Sequence, residues 1–184
     1  MGIGKFISSA IENYSSGNYP IALALTCSAV DATAKKLFPT LNNNERIKEF
    51  IRKNMRIVSI FGLPGISTGG LKIKCDAIPE IKKDKNNLAG LEDIIYYAIR
   101  CSLIHECRTD PRLEFVNKTR IGDLNDKFTL PSQIIWGLIF AVVLAKINAN
   151  EKSDIPFNVN ISGADYKLNE LWGKKEELIP KLHS

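Results

Sequence analysis

Residues Ile134 to Ala145 form an unbroken apolar run of twelve, Ile-Ile-Trp-Gly-Leu-Ile-Phe-Ala-Val-Val-Leu-Ala. A membrane-crossing helix needs about 20 apolar residues, so this run is too short to span a bilayer. It is apolar on every side, which suits a helix packed all round by its own chain. The run therefore predicts a core helix. The 184-residue chain is long enough to supply the rest of that core.

Three further segments carry helical signals. Tyr19-Pro20 to Leu37-Phe38-Pro39 is rich in alanine, leucine and isoleucine and has proline at both ends. Asn42-Asn43-Asn44 offers caps for a helix in which Ile47, Phe50, Ile51, Met55 and Val58 recur at helical spacing. A third segment runs from about Leu88 to Cys107. The fourth, which contains the apolar run, is expected to start with Pro131 in its first turn and to reach about Asn148. Leu113–Asn117 and the stretch through Phe128-Thr129 read as short strands around turns. The expected fold is mostly α, an antiparallel helical bundle with a small β element near residues 113–130. One domain is expected over residues 1–184, with its core at about 20–148 and a C-terminal extension over 149–184.

Several function classes find no support. Cys27, Cys75, Cys101 and Cys107 include no C-x-x-C pair, and only His105 and His183 stand beside them, so no metal site is expected. The glycine-rich stretch 62–70 lacks the Gly-Lys-Ser/Thr ending of a phosphate loop and reads as a plain loop. Phe6 stands where N-myristoylation needs Ser or Thr, and the N-terminal region has no long apolar core of a secretory signal. No cofactor and no membrane association are expected, and the cytoplasm is the expected location. The net charge of +5 is mildly favourable to an acidic partner such as nucleic acid.

The chemistry-bearing stretch is Arg100-Cys101-Ser102-Leu103-Ile104-His105-Glu106. Arginine keeps its charge at any physiological pH, whereas histidine titrates near neutrality. Together they are the parts needed to cleave a phosphodiester. On an ideal helix the two side chains diverge by roughly 140°, so one stripe does not hold both. The face with Asp93, Tyr96, Tyr97, Arg100 and Ile104 is charged yet largely apolar, which suits a partner surface. A two-fold homodimer through it would gather two arginines and two histidines in one groove. The structural alternative bonds Arg100 to Asp93 and His105 to a carbonyl.

Arg100 and His105, with Leu103-Ile104 between them and Glu106 after, resemble the signature of the HEPN superfamily. The order of helices resembles that superfamily as well, over roughly residues 20–148. The resemblance implies a metal-independent endoribonuclease of toxin or antiviral-defence type, acting as a homodimer and leaving a 2′,3′-cyclic phosphate. It implies that His105 acts as general base or acid and that Arg100 stabilises phosphate charge. Asp93, Cys101, Ser102 and Glu106 would support these groups, and Arg108, Arg112 and Arg120 would hold the RNA backbone. An antitoxin or other regulatory partner also follows from the resemblance. Cys101 departs from the asparagine, aspartate or histidine commonest after the arginine, and it orients neighbours only weakly. The alternative reading is therefore a catalytically inactive nucleic-acid or protein binding module, and a third is an unrelated helical interaction domain.

Overall fold

A computed structural model describes residues 2–66, 71–104 and 110–183, with the backbone alone for residues 100–104 and 183. Helix α1 (Ile3–Ser15) packs on α2 (Tyr19–Leu37), and α3 (Asn43–Lys53) and α4 (Met55–Gly62) follow. A hairpin of β1 (Lys72–Lys74) and β2 (Leu88–Gly90) leads into α5 (Leu91–Ile104). Strands β3 (Leu113–Val116), β4 (Gly122–Leu124) and β5 (Lys127–Pro131) then form a small sheet. Helix α6 (Ile134–Val143) is followed by a hairpin of β6 (Asn158–Ile161) and β7 (Ala164–Lys167), and by the short α7 (Lys175–Leu178).

This is a mixed α/β architecture, about half helical, with three separate small sheets among the described residues. The expected mostly α bundle is corrected accordingly. β structure is not confined to residues 113–130. Leu88–Gly90, read as the start of the third helix, is strand β2 and pairs Lys72 with Gly90 and Lys74 with Leu88. Pro131, read as a first-turn helix proline, ends β5 opposite Val116. A proline tolerates a strand end because no ladder bond is asked of its missing N–H. Past residue 148, the β6–β7 hairpin turns through Ser162 and Gly163, both at positive φ. That is the backbone a two-residue hairpin loop requires.

The second helical segment is two helices. Asn42 caps α3 by accepting from the Glu45 N–H, and Asn54 breaks the segment. The Asn54 side chain donates to the Phe50 carbonyl while its Oδ1 accepts from Lys175. Helix α1, unassigned in the sequence, buries Ile3, Ile7, Ala10 and Ile11 on one face. These residues share one core with Ile161, Leu168, Trp172 and Leu178, so the core extends past both ends of residues 20–148.

Helix α6 is the centre, and every residue of it except Trp136 is buried. Gly62 and Gly137 let α4 cross it closely. A Cβ on Gly137 would stand 2.5 Å from the Val58 carbonyl oxygen, and one on Gly62 would stand 3.0 Å from the Ile134 Cα. Among the described residues, no helix is long and apolar enough to cross a membrane.

Candidate functional site

Helix α5 is held by different partners along its length. At its start, Asp93 pairs with Lys48 of α3 at 2.6 Å, both side chains being largely covered. The same ammonium lies 5.1 Å from the centre of the Tyr96 ring, where the ring's negative face attracts it. Glu92, beside Asp93, takes Arg52 at 3.3 Å. Both carboxylates lie in the first turn of α5, where the helix dipole favours negative charge.

One turn further on, the Tyr97 hydroxyl donates to Asp110 at 2.6 Å. Asp110 also accepts from its neighbour Arg112: from the backbone N–H at 2.8 Å, Nε at 3.0 Å and Nη2 at 2.8 Å. The Asp110 side chain is only 10% exposed. Hydrogen bonds from Arg112 hold its carboxyl well below the usual carboxylate range against the opposing effect of burial, with the Tyr97 hydroxyl assisting. Arg112 reaches further, to both oxygens of Glu80 at 2.9 and 3.1 Å. Its Nη2 also donates to the Tyr97 hydroxyl at 3.1 Å. Asp110, then Glu80, hold the guanidinium firmly in its charged form. Glu80, exposed on the loop after β1, is in turn lowered by Arg112.

The network ties three places together: the middle of α5, the start of β3 and the loop between β1 and β2. It also fixes where the chain returns after residue 109. The β3–β5 register then places Lys127 beside Arg112, since Leu113 pairs with Phe128 and the Phe128 N–H donates to the Arg112 carbonyl. The β4–β5 turn beyond it uses Asn125 and Asp126, both at positive φ.

The residues singled out from sequence fall as follows. Arg100, Cys101 and Ser102 lie in α5, with Arg100 one turn past Tyr97. His105, Glu106 and Arg108 lie outside the described residues. Asp93 is bonded to Lys48. Arg112 is bonded to two carboxylates and a hydroxyl, and Arg120 is exposed in the loop between β3 and β4. Among the described residues, no group of acidic, histidine and cysteine side chains is arranged to hold a metal ion. Cys27 and Cys75 are buried free thiols, and desolvation raises the pKa of both, that of Cys75 to about 11.

Sequence reasoning missed Lys48, Glu80 and Asp110. The available signal was Asp110-x-Arg112, a carboxylate and an arginine spaced for a local clasp at a turn into a strand. Glu80 had no such signal, because it lies 32 positions from Arg112.

A family model described as Rv1289 matches residues 2–183, nearly the whole chain. The chain belongs to the Rv1289 family. Two mycobacterial relatives, "Uncharacterized protein Rv1289" of Mycobacterium tuberculosis and "Uncharacterized protein Mb1320" of Mycobacterium bovis, are each 24% identical over 185 residues. Each alignment covers 94% of this chain and 84% of the relative. No solved structure matches. This membership corrects the HEPN resemblance, because the matching family is a different one. An arginine and a histidine five positions apart are too short a pattern to define a family. The stretch cited beside them also holds five strands, and its second helical segment is broken into two helices.

Proposed function

We propose that the chain binds RNA and cleaves its phosphodiester bonds without a metal ion, at the C-terminal half of α5. The observation that supports this reading is the Tyr97–Asp110–Arg112–Glu80 network. It anchors to α5 the chain that resumes at Asp110, past the Arg100–His105 stretch. On this reading Arg100 binds a phosphate oxygen and offsets the charge that builds in the transition state. His105 takes the proton from a ribose 2′-hydroxyl or returns one to the leaving oxygen. The product carries a 2′,3′-cyclic phosphate, and a strand lacking the 2′-hydroxyl is inert. The reading includes action inside the cell, where RNA is at hand.

The test incubates purified protein with single-stranded RNAs in the presence of EDTA. Wild type is compared with His105→Ala and Arg100→Ala, and RNA with its 2′-deoxy counterpart. Cleavage of RNA alone, lost in both variants, agrees with the proposal. Cleavage that EDTA abolishes, or that His105→Ala leaves intact, overturns it.

One observation favours a second reading, an RNA-binding module without catalysis. Arg112, a candidate for the RNA backbone, is engaged by Asp110 and Glu80. An arginine so held serves the frame rather than the substrate. RNA bound but left uncleaved under every condition would select this reading.

The reading includes a homodimer through α5, whose charged yet largely apolar face suits a second copy, with Arg100 and His105 of both copies lining one cleft. Sedimentation at tens of micromolar that gives the mass of two chains agrees with it, and the mass of one chain overturns the dimer.

A further inference from the structure

Beside the first turns of α5 lies a cavity of about 220 Å³, bounded by α3, the β1–β2 hairpin and the loop that joins its strands. Four carboxylates and five cations line it. Three of the carboxylates are neutralised at short range: Asp93 by Lys48 at 2.6 Å, Asp84 by Lys72 at 2.7 Å and Glu92 by Arg52 at 3.3 Å. Glu45 is the fourth, exposed in the first turn of α3. What remains is Lys82 and Lys83, neither of which makes an ion pair within 4 Å among the described residues. Lys83 tilts the field around Asp76 and Cys75, helping to lower the Asp76 carboxyl after Lys74 and Asn87. With Glu45 set against these two lysines, the unpaired part of the wall keeps one positive charge in excess.

The chain links this wall to the Arg112 network. Glu80, which grips Arg112, precedes Lys82 by two residues and Lys83 by three on the same loop. Three residues of chain span at most about 11 Å, so the lysines lie close to the Arg112 network. Tyr96 and Tyr97 mark the same join from the helix side, the first under Lys48 and the second on Asp110.

We propose that this groove holds the backbone of the single-stranded RNA, with Lys82 and Lys83 each taking a phosphate. The inference rests on the RNA reading above. A groove lined by unpaired cations suits a flexible strand that can follow it, and lysine serves as a compact charge for phosphate. The paired residues shape the groove but add little net charge, so the salt-dependent part of binding falls on the two free lysines.

The experiment uses the full chain carrying His105→Ala, so that cleavage does not consume the probe. A short fluorescein-labelled single-stranded RNA is titrated by anisotropy across a series of salt concentrations. Each phosphate contact to a single strand contributes about 0.7 to the slope of log affinity against log salt. Lys82→Ala/Lys83→Ala should reduce that slope by about 1.4 and weaken binding roughly tenfold or more at low salt. Lys146→Ala/Lys152→Ala, outside the groove, should leave the slope unchanged, and thermal melts should show all variants folded. An unchanged slope in the Lys82/Lys83 variant overturns the groove while leaving RNA binding intact. A lysine-dependent slope in a protein whose wild type cleaves nothing supports the groove and overturns the cleavage reading. No RNA binding at low salt overturns both. Equal, Lys82/Lys83-dependent binding of duplex DNA overturns the commitment to single-stranded RNA.

Discussion

Asp110→Asn tests whether the frame of the proposed site is held as the structure shows. The carboxylate accepts four hydrogen bonds of 2.6 to 3.0 Å, one from Tyr97 and three from Arg112. An asparagine keeps one acceptor oxygen and turns an NH₂ toward groups that are themselves donors. At least two bonds are lost, together with the charge that strengthened them. Hydrogen bonds to charged groups contribute about 1.5–3 kcal/mol each. Arg112 is 37% exposed, so water takes over part of its share. A loss of about 2 kcal/mol follows, which for a chain of this length is a fall in Tm of about 4–8 °C. The dependence on pH has a definite sign. The Asp110 pKa is depressed in the folded protein, so its stabilisation is complete above the unfolded value of about 4 and fades as pH falls through the folded one. The gap in Tm between wild type and Asp110→Asn should therefore be constant near neutrality and close in acid. Glu80→Gln should lower Tm far less, because Glu80 is 54% exposed. Differential scanning calorimetry from about pH 3 to 7 reads all three quantities. A variant that melts with wild type at pH 7, or a gap that widens in acid, would refute the reasoning.

Gly137→Ala should destabilise the fold by about 1–3 kcal/mol although alanine is the better helix former by about 1 kcal/mol, because its Cβ meets the Val58 carbonyl at 2.5 Å; a higher Tm would show that α4 yields easily. Gly4→Ala should cost at least as much, since a Cβ there runs into the Lys152 backbone carbonyl, and hydrogen exchange should report the loss first in α1. Tyr97→Phe removes the 2.6 Å bond to Asp110 and should lower Tm by about 1 kcal/mol equivalent, with RNA cleavage falling more than the stability loss explains. Cys101→Asn should leave cleavage equal or higher in the same assay, and complete loss would mean that the thiol itself is required.

The parts of the fold that could be read from sequence are those set by local periodicity. The apolar run at 134–145 lies within α6 and the turns after it because no arrangement other than burial suits twelve such residues. The helix over Tyr19–Leu37 is bounded as its prolines suggest. The misread parts depend on distant partners. Leu88–Gly90 looks like the first turn of a helix, and only Lys72–Lys74, some sixteen residues earlier, makes it a strand. Asn54 lies inside an unbroken apolar stripe, so nothing local reveals that Lys175, 121 positions away, bonds to its side chain at the break between α3 and α4. Helix α1 carries a clear apolar face in Ile3, Ile7, Ala10 and Ile11, which local periodicity alone makes legible.

The site divides along the same line, and this explains why a two-residue motif misled. Arg100 and His105 stand out because charge within an apolar helix is costly and conspicuous. A pair of conspicuous residues fixes neither family nor fold. Described contacts of α5 come from Lys48 on α3 and from Asp110, which Arg112 joins to Glu80 on the β1–β2 loop. None is unusual by itself, since each is a charged residue in a polar stretch. Their weight comes from convergence on α5. Asp93 meets Lys48, and Tyr97 meets Asp110. The same convergence leaves Lys82 and Lys83 unpaired beside neutralised neighbours, a distinction that no count of lysines in the sequence contains.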